Sequence, residues 1–139
     1  MIRLTHEPID AGKLIEAVNR PDCGAIVTFL GTVRDVTGDQ HTAALEYEAY
    51  PELAETVLNK IKSAAMRKWP IQAIAIIHRL GLLQPAESSV GVAVACPHRA
   101  DAFEACKFVI DHLKAEAPIW KREHSPDGSA RWVHPGVTS

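Results

Sequence analysis

The segment from Cys96 to Glu123 constrains the fold of this chain more than any other. A run of small and β-branched residues, Ser89–Cys96, leads into it and is typical of a buried strand. Asp101 followed by Glu104 matches an aspartate version of the capping box and predicts a helix that begins near Asp101. Pro118 ends that helix, because proline cannot continue the helical hydrogen-bond ladder. The segment therefore predicts a strand, a helix and a further strand in succession.

Positively charged side chains border this predicted helix on both sides. In chain order they are His98, Arg99, Lys114, Lys121 and Arg122, and Arg34 joins them from the end of an earlier apolar run. The unpaired N–H groups and the dipole at the start of a helix already favour negative charge. The pattern therefore indicates a site for a phosphorylated or carboxylated ligand.

Hydrophobic patterns along the rest of the chain predict a domain of the α+β class. We expect helices at Asp10–Arg20, Pro51–Trp69 and Asp101–Ala117, and strands at Ile2–Glu7, Cys23–Val33, Thr42–Tyr50, Ile71–Leu80, Ser89–Cys96, Ile119–His124 and Ala130–His134. The turn signal Asp127-Gly128 joins the last two strands into a C-terminal hairpin. The order of elements predicts about three helices packed on a mixed or mostly antiparallel sheet.

Three local features complete this prediction. The segment Asp35–Gln40 is expected to be a polar turn, and Gly81–Ser88 a loop. In the helix that begins at Pro51, residues four apart predict a buried stripe. That stripe is Leu53, Val57, Ile61 and Ala65, with Ala54 and Leu58 beside it.

Length and charge exclude several classes of protein. With 139 residues the chain is expected to form one domain, spanning 1–139. Its formal net charge of -2 gives no overall field that would recruit nucleic acid or an anionic membrane. No apolar run reaches the length of a membrane span or of a signal-peptide core. These properties predict a cytoplasmic protein without nucleic-acid or membrane partners.

The cysteines and histidines lack the spacing of metal ligands. Cys23, Cys96 and Cys106 form no C-x-x-C pair, which argues against a zinc knuckle and against a disulfide framework. Their apolar surroundings favour packing as small hydrophobic residues. None of the 7 histidines is paired with another at i+2 or i+4. We therefore predict no metal site and no bound cofactor.

Common catalytic signatures are missing from the sequence. It contains no dinucleotide-binding, P-loop, nucleophile-elbow or zinc-protease motif. Glu46 and Glu48 are a pair of carboxylates, but their spacing on a predicted strand favours a solvated face over catalysis. The cationic cluster remains, and it fits a catalytic anion site, a non-catalytic anion-binding module or an RNA-binding domain. The RNA-binding alternative ranks last, because the net charge is -2 and exposed aromatic residues do not alternate with the cations.

Five short blocks stand in order along nearly the whole chain. They are F-L-G-T-V-R (Phe29–Arg34), L-E-Y-E-A-Y (Leu45–Tyr50), I-H-R-L-G (Ile77–Gly81), H-R-x-x-A-F-E-A (His98–Ala105) and K-A-E-A-P-I-W-K-R-E (Lys114–Glu123). Together they resemble the family of the catalytic, large subunit of molybdopterin synthase. A single block would be a weak signal, whereas the ordered combination is highly specific.

The resemblance implies a fold, an assembly and a reaction. The fold is an α+β domain of the α/β-hammerhead type, and the assembly is a homodimer within a heterotetramer. Each large subunit binds one small ubiquitin-like sulfur carrier, whose C-terminal Gly-Gly thiocarboxylate enters the active site. Two sulfur transfers convert cyclic pyranopterin monophosphate (precursor Z) into the dithiolene of molybdopterin. The alternative within this assembly is a non-catalytic module that only docks the carrier.

The resemblance also implies a set of substrate contacts. Carried over residue by residue, they are Phe29, Thr32, Val33, Arg34, His98, Arg99, Lys114, Lys121, Arg122 and Glu123. It further implies that His98 and Arg99 serve the pocket of the other chain in the dimer. Because the pKa of a lysine falls readily when it is desolvated or crowded by cations, we predict that Lys114 and Lys121 are catalytic. Which lysine exchanges a proton and which stabilises an oxyanion is left open.

Overall fold

The computed structural model describes residues 1–133, in which three helices and ten strands follow one another. The helices are α1 (Ala11–Val18), α2 (Pro51–Lys68) and α3 (Arg99–Glu116). The strands are β1 (Ile2–Thr5), β2 (Ala25–Thr32), β3 (Val36–Thr37), β4 (Gln40–His41), β5 (Ala44–Ala49), β6 (Ala73–Arg79), β7 (Gly81–Leu83), β8 (Ser88–Cys96), β9 (Ile119–His124) and β10 (Ala130–Val133). His134, where we expected the last strand to end, lies outside the described residues.

The larger hydrophobic core is built on a four-stranded sheet of order β1-β6-β8-β2. In this sheet β1 runs parallel to β6, and the other neighbours are antiparallel. Side chains that alternate along β6 divide between two faces: Ile76 packs towards α2 and α3, whereas Ala75 and Ile77 pack towards α1. Gly91 allows α1 to approach closely, because a Cβ atom there would lie 2.7 Å from Cδ2 of Leu14.

A second four-stranded sheet, of order β10-β9-β5-β7, is antiparallel throughout and includes the C-terminal hairpin. Leu45, Tyr47 and Leu83 face a smaller core, into which Val33 and Leu80 also pack. Leu45 and Tyr47 are buried as the alternation of β5 predicted. The predicted α+β class, the three helices, the mixed sheet and the C-terminal hairpin are confirmed.

The start of α3 differs from the prediction. The helix begins at Arg99 rather than near Asp101, and His98 occupies the N-cap position without a side-chain capping hydrogen bond. Glu104 does not close a capping box, because its carboxylate accepts a hydrogen bond of 3.1 Å from Nε1 of Trp69. His98 and Arg99 are therefore part of the helix start and do not precede it by several residues.

Two connecting segments that we predicted without strands contain them. Gly81–Leu83, inside the expected loop, pairs with β5 as β7. Gly81 has a φ of +94°, a left-handed conformation that lets the chain turn directly from β6 into β7. Val36–Thr37 and Gln40–His41 pair as the small hairpin β3-β4, inside and next to the expected polar turn. The strand β7 was missed because its partner, β5, lies far away in the chain, whereas the strands of the β3-β4 hairpin are only two residues long.

The buried face of α2 agrees with the predicted stripe except at its start. Ile61 and Ala65 are buried, as are the flanking Ala54 and Leu58, whereas Leu53 is 53% exposed. The helix starts at Pro51, as predicted. Within residues 1–133, no helix is both long and apolar enough to cross a membrane.

Candidate active site

A small polar recess lies where β2, β8 and the end of α3 meet the second sheet. Four residues that the sequence predicted as substrate contacts line it: Thr32, Arg34, Lys114 and Glu123. The rest of its wall consists of Gly31, Thr37, Thr42, Leu45, Tyr47 and Ser89. This recess is the candidate active site.

Three elements deliver cationic side chains to this region. The register of β2 against β8 shifts just before Thr32, and the chain then continues to Arg34. The last turn of α3 carries Lys114. In β9, Lys121 lies directly opposite Tyr47 of β5, so the two side chains share one face of the second sheet. The distant positions of these residues in the sequence thus converge through strand pairing and one helix.

Burial and repulsion from neighbouring cations lower the pKa values of both lysines. Lys121 is 9% exposed; burial is the main cause that lowers its pKa, and the charges of Lys114 and Arg34 lower it further while Glu123 opposes them. The pKa of Lys114, at the exposed rim, is also lowered, first by desolvation and then by the charge of Arg34. An anion among these three cations would relieve their repulsion.

Glu123 contributes the carboxylate in the wall of the recess. Its side chain is 17% exposed and lies 3.4 Å from Nη2 of Arg131 on the neighbouring strand. Because that ion pair engages the carboxylate, Glu123 only partly offsets Arg34, Lys114 and Lys121. The recess therefore remains locally positive in a chain whose formal net charge is -2.

His98 and Arg99 lie at the opposite end of α3 from Lys114. The fifteen residues from Arg99 to Lys114 span roughly 22 Å of helix at 1.5 Å per residue. One chain therefore does not bring this pair to its own recess. Their separation is the geometry expected if the pair completes a site on another chain.

Arg122 points away from the recess, because it alternates with Lys121 and Glu123 along β9. On the other face of the sheet its guanidinium lies 5.6 Å from the ring of Trp132 and 3.9 Å from the carboxylate of Glu46. The same carboxylate lies 3.1 Å from Nε2 of His124. Glu46 is thus ion-paired rather than freely solvated. Arg122 and Lys121 lie on opposite faces of the sheet, so they do not share a site within one chain.

Phe29 and Val33 have structural positions in the described chain. Phe29 packs against the larger core, beneath Gly31, where a Cβ atom would lie 3.3 Å from Cε1 of its ring. Val33 is 3% exposed in the smaller core, and its N–H donates to the carbonyl of Glu87 at 2.9 Å. These two residues therefore support the backbone around Thr32 and Arg34 rather than lining the recess.

Comparison with known proteins identifies the family. The family model described as MoaE protein matches residues 4–116. The chain belongs to the MoaE family. The resemblance drawn from the five sequence blocks is therefore confirmed at the level of the family.

Relatives of the MoaE family match almost the whole chain. The molybdopterin synthase catalytic subunit of Ralstonia nicotianae is 44% identical over 139 residues, covering 99% of this chain and 78% of the relative. The crystal structure of molybdopterin synthase from Staphylococcus aureus has a TM-score of 0.89 at 38% identity and covers 94% of both chains. A molybdopterin biosynthesis MoaE protein from Burkholderia ambifaria has a TM-score of 0.84 at 44% identity, covering 99% of this chain and 91% of that one.

In this MoaE-family chain, the residue-based prediction missed the hydroxyl and imidazole groups beside the lysines. Tyr47 and Ser89 line the recess, and His78 packs its ring against Tyr47 with centroids 5.0 Å apart. A tyrosine predicted on the buried face of a strand is a usable signal, because its hydroxyl requires a polar partner. Nothing in the sequence indicates that this partner comes from β8.

The cysteines have the inert character that their apolar surroundings predicted. Cys96 and Cys106 are buried, and burial raises the pKa of each thiol to about 11. Such thiols carry almost no thiolate at neutral pH and are poor nucleophiles. Neither thiol is therefore a candidate nucleophile.

Proposed function

We propose that this chain is the catalytic subunit of a molybdopterin synthase. It transfers sulfur from the C-terminal thiocarboxylate of a small ubiquitin-like carrier to cyclic pyranopterin monophosphate, forming the dithiolene of molybdopterin. The observation that carries this proposal is the clustering of Lys121 with Arg34 and Lys114, two residues that line one recess, in a MoaE-family chain. Both reactants are anionic, so a local positive site in a chain of net charge -2 suits them.

The cations divide the work according to their chemistry. Arg34 has a planar fork that binds phosphate or carboxylate oxygens in pairs. Lys114 and Lys121 are point charges with lowered pKa values, so each can give up a proton more readily than an exposed lysine. We assign Arg34 to substrate binding and the two lysines to catalysis. Thr32 and Glu123 contact the substrate from the recess wall.

Each sulfur transfer has two bond-forming steps in this proposal. The carrier's sulfur attacks a pterin carbon, so that a C–S bond forms and a C–O bond at that carbon breaks. The oxygen leaves on the opened phosphate ring in one transfer and as water in the other, and carrier and pterin are then joined as a thioester. Water then adds to the thioester carbonyl carbon, an oxyanion forms there, and the bond between that carbon and sulfur breaks. The carrier leaves as a carboxylate and the sulfur stays on the pterin. A lysine ammonium stabilises the oxyanion and exchanges the proton that these steps require.

The working unit is a dimer in which each site uses two chains. His98 and Arg99 of one chain bind the substrate phosphate in the recess of the other, which accounts for their distance from Lys114. The sulfur carrier adds one subunit per site and completes a heterotetramer. We place the assembly in the cytoplasm and assign residues 1–139 to one domain.

The test is to mix the protein with thiocarboxylated carrier and cyclic pyranopterin monophosphate and to measure dithiolene formation. Product that depends on all three components supports the proposal. Tight binding of the carrier without product would instead identify a docking module. The same mixture with carrier that ends in an ordinary carboxylate is the control, because it supplies every contact except the sulfur.

A further inference from the structure

Tyr47 presents a phenol hydroxyl at the wall of the recess, and the roles proposed above make no use of it. Its side chain is 9% exposed and lies on the same sheet face as Lys121, its cross-strand neighbour. Residues directly opposite in antiparallel strands have Cβ atoms about 4.5–5.5 Å apart. Tyr47, in the wall of the recess, therefore lies beside Lys121, one of the two lysines to which we assign catalysis.

The neighbouring hydroxyl of Ser89 leaves the O–H of Tyr47 the role of a donor. The hydroxyl of Ser89 donates to the carbonyl oxygen of Gly31 at 3.2 Å, which uses its single hydrogen. Towards the phenol, Oγ of Ser89 can therefore act only as an acceptor. Burial raises the pKa of Tyr47, so the phenol keeps its proton at neutral pH. Tyr47 is therefore a neutral donor at the edge of a cationic cluster.

The ring of Tyr47 is held in place by another neutral group. The imidazole of His78 meets it edge to face, with centroids 5.0 Å apart and an interplanar angle of 65°. Nδ1 of His78 lies 2.8 Å from the carbonyl oxygen of Arg79, and burial lowers the pKa of the imidazole to about 4. His78, which packs against the ring of Tyr47, thus adds no positive charge to a region where three cations already repel one another.

We propose that Tyr47 is a further catalytic residue, which donates its hydroxyl hydrogen bond to the oxyanion formed at the carrier's C-terminal carbonyl carbon. This proposal rests on the proposed function. A fourth cation in this position would lower the pKa values of Lys114 and Lys121 further. A neutral donor stabilises the same negative charge without that repulsion, and the bond strengthens as the charge develops.

The chain contains a matched pair of tyrosines for the test. Tyr47→Phe removes the hydroxyl but keeps the ring that packs against His78. Tyr50→Phe removes a hydroxyl from a side chain that is 66% exposed, three residues further along. We expect Tyr47→Phe to lower kcat for dithiolene formation about 10- to 100-fold, the effect of losing one hydrogen bond to a charged oxygen. KM should change by less than about threefold, because the bond forms in the transition state.

A third variant distinguishes a Tyr47 hydroxyl that donates a hydrogen bond in the reaction from one that only stabilises the contact between β5 and β8. Ser89→Ala removes the neighbouring hydroxyl in the recess wall but leaves that of Tyr47, so it should lower kcat far less than Tyr47→Phe does. Wild-type kcat in Tyr47→Phe, a loss confined to KM, or equal losses in the Tyr47 and Ser89 variants would overturn the proposal. A Tyr50→Phe variant as slow as Tyr47→Phe would do so as well. Absence of product with the wild-type protein would overturn the proposed function itself, and this inference with it.

Discussion

At the scale of single residues, the proposed site depends most on Lys121. This residue is 9% exposed and has Lys114 and Arg34 as cationic neighbours, so its protonated form is destabilised. A general acid works best when its pKa approaches the pH at which it operates. The direction of the shift in Lys121 is therefore the direction that proton transfer at neutral pH requires.

Removing either lysine tests this assignment. Lys121→Ala and Lys114→Ala should each lower the rate of dithiolene formation by at least about 100-fold, as loss of a charge-stabilising donor does in other enzymes. The fold should survive, because neither ammonium group forms an ion pair with a carboxylate among residues 1–133. Lys107→Ala is the matched control, since its side chain on the same helix as Lys114 is 78% exposed. Near-wild-type rates in both site variants, measured beside unchanged circular dichroism spectra, would contradict the assignment.

His78 should make the protein less stable in acid. Burial lowers the pKa of its imidazole from 6.5 to about 4, the hydrogen bond with Arg79 partly offsets this, and the charge of Lys114 adds to it. The unfolded chain binds a proton below its pKa of 6.5, whereas the folded chain does not until about 4. The free energy of unfolding therefore falls as the pH decreases through this window, by up to about 1.4 kcal/mol per pH unit.

Urea unfolding of the wild type and His78→Phe at pH 7 and pH 4.5 measures this contribution. The phenylalanine variant keeps a ring against Tyr47 but cannot titrate. Between the two pH values its free energy of unfolding should fall by about 2 kcal/mol less than that of the wild type. The quantity compared is the decrease in the free energy of unfolding between pH 7 and pH 4.5, so a uniform loss of stability in the variant does not affect the result. Equal decreases in the wild type and the variant would mean that the imidazole of His78 is not held neutral.

At the scale of elements, the turn between β7 and β8 positions Arg34. The N–H of Ala86 donates to the carbonyl of Val33 at 2.7 Å, and the N–H of Val33 donates to the carbonyl of Glu87 at 2.9 Å. Nη1 of Arg79 lies 2.9 Å from the carboxylate of Glu87 and fixes this turn to the end of β6. Both the N–H and the carbonyl of Val33 are thus hydrogen-bonded to the turn. These bonds fix the backbone from which the Arg34 side chain extends.

The same turn contains a strained residue. Ala86 has a φ of 74°, in the left-handed region that disfavours a residue with a Cβ atom by roughly 1–2 kcal/mol. Ala86→Gly should raise the free energy of unfolding by about 0.5 kcal/mol, because glycine removes the strain but gains freedom in the unfolded chain. Chemical denaturation checks the sign. A less stable glycine variant would show that unfolded-chain entropy outweighs the strain.

The elements differ in how far the sequence predicts them. Prolines and apolar periodicity predicted α2 and most strands to within a few residues, because these signals are local. The start of α3 was wrong because Glu104 bonds to Trp69, 35 residues away in the chain. The strand β7 was missed because its partner, β5, is equally remote. Local chemistry reports local structure, whereas strand partners and tertiary hydrogen bonds depend on the whole fold.

In the candidate site, too, residues with local signals were predicted, whereas contacts between distant strands were not. Arg34, Lys114 and Lys121 could be selected from the sequence because cations beside element ends are visible there. The opposite orientation of Arg122 also follows from the alternation of β9, once that strand is assigned. The grouping of Tyr47, His78 and Ser89 could not be predicted, because the three residues come from three different strands.

At the scale of the whole molecule, α3 separates two sets of predicted substrate contacts. Lys114 joins the recess at one end, while His98 and Arg99 lie at the other, roughly 22 Å away along the helix. A symmetric dimer exchanges equivalent surfaces between its chains, so each recess can receive the helix start of its partner. The central claim is therefore that one active site uses Lys121 of one chain and Arg99 of the other.

Mixing two inactive variants tests that claim most directly. In a dimer of Lys121→Ala with Arg99→Ala, one site carries both substitutions and the other carries neither. If the two variants are coexpressed and pair at random, half of the dimers are mixed, so dithiolene formation should return to about one quarter of the wild-type rate. Each variant alone should remain at its own low rate. A coexpressed mixture no faster than the separate variants would contradict a site shared between two chains.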